Sequence, residues 1–323
     1  MISFILRRAL ISVPLLLAIS FITFLFLHAV PGNYFDRMRM DPLISEKTVA
    51  AYQKQYHLDE PALAQFGHWM KNLLRLDLGY SFELKKPVWE VIKDRWRNTL
   101  ILSASAMAFT WLIAIPLGIA CAVRQYRLAD KIFSFFSFLG MSLPNFFFAL
   151  LLLYAAANWF PGVLPLGGMQ STDYPRLGGW EKCADLLRHL VIPTLVIGTS
   201  AIAGLQRIMR GNLLEVLRAQ YILTARAKGL PEGRVLYVHA LRNAINPMIT
   251  LFGAELSGLL SGAALTEILC GWPGLGSIML GAVRSQDLFL VMGSTVLGGV
   301  MLVAGYLVSD ILLAWSDPRI VLR

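Results

Sequence analysis

What most limits this chain is the spacing of its charges. Residues 9–30, "ALISVPLLLAISFITFLFLHAV", run without a single Lys, Arg, Asp or Glu. Five more long apolar runs follow, at about 98–123, 132–158, 189–208, 247–269 and 288–315. A helix rises about 1.5 Å per residue, so about 20 apolar residues cross a hydrocarbon core about 30 Å thick. The chain is therefore read as an all-α polytopic membrane protein with six transmembrane helices. Only 15% of its 323 residues are charged, against about a quarter in a soluble domain.

The net charge of +9 does not point to nucleic acid, because no soluble binding fold or basic face with interleaved aromatics accompanies it. Basic residues instead collect in loops that stay on the cytoplasmic side. With the N-terminus placed inside, the short inner segments carry 14 Lys/Arg and the short outer loops carry 4. Both termini are thus expected in the cytoplasm. Arg7 and Arg8 before the first run resemble the start of a signal peptide. That run is far longer than a signal's apolar region of 7–15 residues and lacks a convincing small-residue cleavage site. It reads as a retained helix.

The expected organisation is an N-terminal transmembrane helix (1–30), an outer helical region (31–97), a five-helix core (98–315) and a cytoplasmic tail (316–323). A cytoplasmic loop at 209–246 interrupts the core. In the outer region, two short helices are expected on either side of Asp59-Glu60-Pro61, the first capped by Ser45. "KKPVWEVIKDRWRN" reads as a separate amphipathic helix at the interface, anchored by Trp89 and Trp96. Pro144, within "MSLPNFF", removes a backbone donor and should kink the third span. Cys121, Cys183 and Cys270 show no CxxC spacing, so neither metal nor redox chemistry is expected of them; Cys183 and Cys270 both fall on the outer side, where a disulfide between them is conceivable. No metal ligand set and no cofactor site is read elsewhere.

The 209–246 segment is basic and helix-forming, yet too polar to span. A helix is expected to continue inward from the fourth span over 211–228. Gly229 fits the left-handed position after a helix end, and Pro231 fits the first turn of the next helix, which should run to about Ala244. Asn246-Pro247 then turns the chain into the fifth span. Val235, Leu236, Val238 and Leu241 give the second helix an apolar stripe, with Arg234, His239, Arg242 and Asn243 mostly away from it. Such a segment reads either as a solvated loop near lipid headgroups or as a rigid lever for a cytoplasmic partner.

"YILTARAKGLPEGRVLYVHALRNAINPMIT" resembles the cytoplasmic coupling loop of ABC-importer permeases of the dipeptide/oligopeptide and nickel branch. Tyr221, Thr224–Leu230, His239–Ala244 and Pro247 carry the match. The wider family has E-A-A-x-x-x-G, whereas this chain has Leu223-Thr224-Ala225 and keeps Gly229. The likeness extends along the chain through "HAVPGN", "LDLGYSF", "GMSLPNFF", "LTEILCGWPGLGSIMLGAVRSQD" and "YLVSDILLAWSDPRI". It implies the type I importer permease fold and a B-type subunit in the bacterial cytoplasmic (inner) membrane, surrounded by lipid. It also implies a second homologous permease subunit, two cytoplasmic ATP-binding subunits and an extracytoplasmic solute-binding protein. The resemblance assigns ATPase coupling to Thr224, Ala225, Arg226, Ala227, Lys228, Gly229, Leu230, Pro231, Glu232, His239, Arg242 and Asn243. The expected cargo is di- or oligopeptide; nickel, glutathione or another small solute is the alternative within the branch.

Charges within spans are costly and mark candidate sites. Glu255 either lines the path or bonds to a neighbouring helix. Glu267 and Asp310 match family signature positions and are expected to be structural or to gate. With Pro144, these are the candidate residues of the path or gate. Gly258 and Gly262 have the spacing of a close helix contact. Trp272-Pro273-Gly274-Leu275-Gly276 reads as a rigid outer turn, and His28 as an interfacial residue. No G-x-x-x-x-G-K-[ST], G-x-S-x-G or H-E-x-x-H occurs, so catalysis is not expected of this chain. A stand-alone secondary transporter would show inverted repeats and paired midplane ionisable residues, which the sequence does not clearly carry. A purely structural membrane subunit is the third reading.

Overall fold

The computed structural model describes residues 2–32, 34–40, 44–262 and 264–316. The elements in order are α1 (Ile2–Ala29), α2 (Tyr34–Met38), α3 (Glu46–Gln55), α4 (Ala62–Leu73), β1 (Tyr80–Ser81), β2 (Lys86–Pro87), α5 (Val88–Val123), α6 (Leu128–Ser142) and α7 (Asn145–Trp159). After a 3-10 turn at Tyr174–Arg176 come α8 (Gly179–Leu217), α9 (Gln220–Ala227), α10 (Glu232–Arg234), a π-helix (Val235–Ala240), α11 (Leu241–Ala244), α12 (Asn246–Gly262), α13 (Ala264–Leu269), α14 (Leu275–Ser285) and α15 (Leu288–Ser316). The expected all-helical chain is therefore broken by one small antiparallel ladder, Tyr80 opposite Pro87 and Ser81 opposite Lys86.

Among the described residues, four helices are long and apolar enough to cross a membrane, or five if the bent pair α6–α7 counts as one span. The differences from the six expected runs have local causes. Pro144 does more than kink its helix: α6 and α7 meet at 100°. Proline forces the residue before it out of the helical region, and Leu143 is extended at ψ 126. Within the fifth run, α12 and α13 are the helical residues described on either side of residue 263. The amphipathic helix expected at "KKPVWEVIKDRWRN" is not separate. Lys86-Pro87 is the second strand, and everything from Val88 continues without a break into the 36-residue α5. Nothing between Trp89 and Leu100 would interrupt a helix, so the backbone stays hydrogen-bonded throughout. Trp89 is exposed and Trp96 half-buried.

The described chain divides into two compact units. One comprises 6–99 and 274–301. Its core holds Phe24, Val49, Trp69, Phe82, Val88, Ile92, Leu290 and Met292. The two short helices flanking Asp59-Glu60-Pro61 stand where expected, and the Ser45 hydroxyl accepts the Thr48 N–H at 3.2 Å, capping α3. α1 faces outward with many large apolar side chains exposed, including Leu10, Ile11 and Phe26, as a lipid-facing helix requires. His28 bonds the Phe24 carbonyl and the Gln65 amide oxygen, each at 3.2 Å.

Asp287 is fully buried in this unit. Its Oδ2 accepts the Ser81 hydroxyl at 2.6 Å and the Glu83 N–H at 3.1 Å. Its Oδ1 accepts the Leu290 N–H at 3.3 Å, which caps α15. Burial pushes this carboxyl above the usual carboxylate range, while the three hydrogen bonds pull it down. One side chain thus fixes the turn after β1 to the start of a spanning helix.

The other unit comprises 1–5, 100–273 and 302–323, of which 2–5, 100–262, 264–273 and 302–316 are described. α8 packs on α6, α7, α11 and α12. α12 meets α15 closely at Gly253, where an added Cβ would lie 2.8 Å from the Tyr306 Cα. The Ser309 hydroxyl, on α15, donates to the Ile249 carbonyl at 2.6 Å. Side chains at Gly258 and Gly262 lie outside the described residues, as does the tail from 317. All three cysteines are free thiols, so Cys183, exposed, and Cys270, buried, do not pair.

Asp287→Ala would leave the Ser81 hydroxyl and the Leu290 N–H buried without their acceptor. A loss of about 2–6 kcal/mol follows from about 1–3 kcal/mol per orphaned group. Thermal unfolding of the detergent-solubilised chain measures it, with Ser81→Ala expected to lose less.

Candidate functional site

The 209–246 loop is built around one turn. α9 ends with a complete Schellman motif: the Leu230 N–H donates to the Ala225 carbonyl at 3.3 Å, and the Gly229 N–H to the Arg226 carbonyl at 2.9 Å. Gly229 sits at φ +73, a conformation that glycine adopts without steric cost. Pro231 is the N-cap of α10 with extended ψ 141, one position earlier than the first-turn place expected for it.

Two side-chain contacts brace the corner. Arg226 grips Glu232 with two parallel hydrogen bonds, Nε to Oε1 at 2.9 Å and Nη2 to Oε2 at 3.2 Å. The Asn243 amide donates to the Tyr221 hydroxyl at 2.8 Å. Both pairs join the arm before Gly229 to the arm after it. The paired arginine fork is planar and matches the carboxylate, so the geometry is fixed more firmly than by a point charge.

The helix expected over 211–228 is not continuous. α8 stops at Leu217, and Ala219 is extended at ψ 146. The Arg218 and Ala219 N–H groups bond three residues back, to Glu215 and Val216, which tightens and ends the turn. The second arm also differs from an ideal helix. Val235–Ala240 is π-helical, with a wider turn and bonds five residues apart. Val235 and Ala240, five apart, are both buried together with Ala244. The apolar stripe expected from 3.6-residue spacing is therefore wrong at Val238, which is exposed at 54%.

Beneath the loop lies a continuous apolar core: Met209 and Leu213 of α8, Ile222 and Ala225 of α9, then Val235, Ala240, Ala244 and Met248. Ala225 is thus directed into the core rather than outward. Thr224, Arg226, Ala227, Lys228, Gly229, Pro231, Glu232, Arg242 and Asn243 are exposed, whereas Leu230 and His239 are half-buried. Tyr221, Leu223, Tyr237 and Val238 add exposed apolar surface to this basic face.

One further brace was not singled out from the sequence. Arg210 of α8 donates Nε to Asp130 Oδ1 at 3.0 Å and Nη2 to Oδ2 at 2.8 Å, and Oδ2 also accepts the Tyr126 N–H at 2.9 Å. The Asp130 side chain is only 7% exposed. This pair fixes the tight 124–127 turn to the helix that leads into the loop. An acidic residue in the first turn of a helix was the available signal, but its partner is 80 positions away.

The other candidates are dispersed. Glu255 is half-buried on α12 and Glu267 fully buried on α13. Asp310 is half-buried on α15, and Pro144 is exposed at the α6–α7 break. The Trp272 turn begins with a second Schellman motif, Trp272 N–H to the Glu267 carbonyl at 2.7 Å and Gly271 N–H to the Ile268 carbonyl at 3.2 Å, and Trp272 is buried.

Residues 114–322 match the model of the binding-protein-dependent transport system inner membrane component, and residues 1–103 match that family's N-terminal model. The chain belongs to this family. It is 38% identical over 324 residues to AppB, an oligopeptide transport system permease protein of Bacillus subtilis strain 168. It is 34% identical over 335 residues to DppB, a dipeptide transport system permease protein of Escherichia coli strain K12. Each alignment covers 99% of both chains. A solved chain of the inward-facing MetNI methionine ABC transporter superposes with TM-score 0.50 at 15% identity, covering 70% of this chain and 96% of that one. That likeness carries the fold, the type I importer permease fold. The protein is a multi-pass, non-enzymatic permease subunit of an ABC importer. Its family implies a second permease, ATPase subunits and a binding protein as partners.

Gly229→Val would force a β-branched side chain into the left-handed region, at about 1–2 kcal/mol, lowering the thermal midpoint of the solubilised chain. Arg210→Ala strands a buried carboxylate and should cost more, about 3–5 kcal/mol, by the same measurement.

Proposed function

We propose that this subunit forms half of the translocation path of a bacterial inner-membrane importer of di- and oligopeptides. The names of the full-length relatives supply the peptide cargo. In this reading the chain crosses the membrane six times with both termini in the cytoplasm: the bent pair α6–α7 counts as one crossing, and 247–269 is the fifth. Residues 31–97 lie outside, 98–315 form the core, and 209–246 project into the cytoplasm. A homologous permease completes the path, two ATPase subunits drive it, and an extracytoplasmic binding protein delivers the cargo.

The observation that carries the coupling role is the double-braced corner at Gly229. A loop that merely joined two spans would not need a Schellman turn, a bidentate ion pair and a Tyr–Asn bond across one bend. Thr224, Ala227, Lys228 and Leu223 on α9 offer a small apolar and basic face suited to a groove on a nucleotide-driven partner. Arg226, Gly229, Leu230, Pro231 and Glu232 hold that face at a set angle. Ala225 joins it to the core through which movement reaches α8 and α12. His239, Arg242 and Asn243 support the second arm. Pro144, Glu255, Glu267 and Asp310 are assigned to the path or its gate, Glu255 as the one best placed to meet a peptide amine.

The test is a reconstituted complex in liposomes, with uptake of labelled peptide and ATP hydrolysis measured together. Arg226→Ala and Glu232→Ala should each change folding stability by less than about 1 kcal/mol, because the pair is exposed. Both should nevertheless lower peptide uptake per ATP hydrolysed several-fold. Unchanged stoichiometry in both variants would remove the coupling role from the corner. Leu223→Arg should weaken co-purification of the ATPase.

A further inference from the structure

Outside the cytoplasmic loop, one group of side chains in the 6–99 unit has no part in the reading above. His57, Glu60 and His68 present one ligand atom each within 4.8 Å of one another. The His57 Nδ1 lies 2.8 Å from Glu60 Oε1, and the His68 Nε2 lies 3.0 Å from Glu60 Oε2. The two imidazole rings stack at 4.2 Å with 6° between their planes. One carboxylate is thus held between two imidazoles, an oxygen to each.

The backbone is arranged for this. His57 follows the end of α3 in the left-handed region, at φ 58. The Leu58 N–H bonds the Gln53 carbonyl at 2.7 Å and the His57 N–H bonds the Lys54 carbonyl at 3.3 Å, the pattern of a Schellman turn. That position usually holds glycine, and a residue with a Cβ there costs about 1 kcal/mol. A histidine spends that free energy to aim an imidazole at Glu60. Glu60 in turn sits just before α4, its carbonyl accepting the Gln65 amide at 2.8 Å.

We propose that His57, Glu60 and His68 form a binding site for a divalent transition-metal ion of borderline softness, with Zn2+ the best-fitting member. Two imidazole nitrogens and one carboxylate oxygen are the ligand set of open, four-coordinate Zn2+ sites; Mg2+ and Ca2+ prefer all-oxygen sets. Ligands about 2.0–2.1 Å from a tetrahedral ion lie about 3.3 Å apart. To reach that, the ligand atoms, now within 4.8 Å of one another, must draw together and the stacked rings must turn so that both in-plane lone pairs meet one ion; both histidines are nearly half exposed. The fourth position is left to water or to a donor from outside. Both imidazoles line a cavity of about 350 Å³ that also includes Tyr56, Asn72, Asp77 and Tyr80. The ion would replace the two imidazole–carboxylate contacts and would pin the end of α3 to α4. This site stands apart from the transport reading and is measured by binding alone.

The experiment uses the full chain in detergent, purified on a histidine-free tag and stripped with EDTA. Zn2+ is titrated against a chromophoric chelator. Saturable binding of one ion per chain is expected. His57→Asn, which tolerates the left-handed turn, and His68→Gln should each weaken it by at least about tenfold, and His28→Asn should leave it unchanged. Co2+ should give the strong visible absorption of a four-coordinate site in the wild type only. Equal affinity in wild type and in the His57→Asn/His68→Gln double variant overturns the site, as does the lack of saturable binding in a wild-type chain whose thermal midpoint shows it folded.

Discussion

A membrane offers no water to a backbone N–H or carbonyl, and every feature of this chain that matters answers to that constraint. Long helices satisfy it within themselves. What distinguishes this subunit is how it satisfies the constraint where helices stop. Leu217 and Ala227 end their helices with bonds three residues back or with a Schellman turn, so few carbonyls are left open. Pro144 gives up a donor at the α6–α7 break. Each break is also a place where the chain changes direction, and two of them, after Leu217 and after Ala227, shape the 209–246 loop.

Buried carboxylates do the remaining positioning. Asp287 joins a turn to a helix start through three donors. Asp130 joins another turn to α8 through the Arg210 fork. An ionised group buried alone would be prohibitively costly, so each is surrounded by donors and each is rigid for that reason. The exposed Arg226–Glu232 pair differs: it contributes little stability but sets an angle. The buried carboxylates thus hold turns to helices, and the exposed pair holds two arms of one loop.

Much of this was legible from residue order. The apolar runs, the cap at Ser45, the left-handed Gly229 and the break at Asp59-Glu60-Pro61 follow from local chemistry. The coupling segment was legible through its likeness to a family. Several points were not. Val238 was placed on the buried stripe because a 3.6-residue period was assumed, and the π-helical turn rotates it outward. The severity of the Pro144 bend, and the merging of 88–97 into α5, depend on how far a helix continues once begun. Asp287, Asp130 and the His57–Glu60–His68 group were passed over because their partners are distant or their spacing matches no motif.

The sequence by itself determined that this chain lives in a membrane and where its long apolar runs and the Gly229 turn fall. Those follow from hydration cost and backbone sterics, which act residue by residue. The tertiary structure alone decided that Asp287 meets Ser81, that Asp130 meets Arg210, and that two histidines meet one glutamate beside a cavity. The first two join residues far apart along the chain and gain strength from burial once the helices have packed; the third depends on the turn that brings the ends of α3 and α4 together.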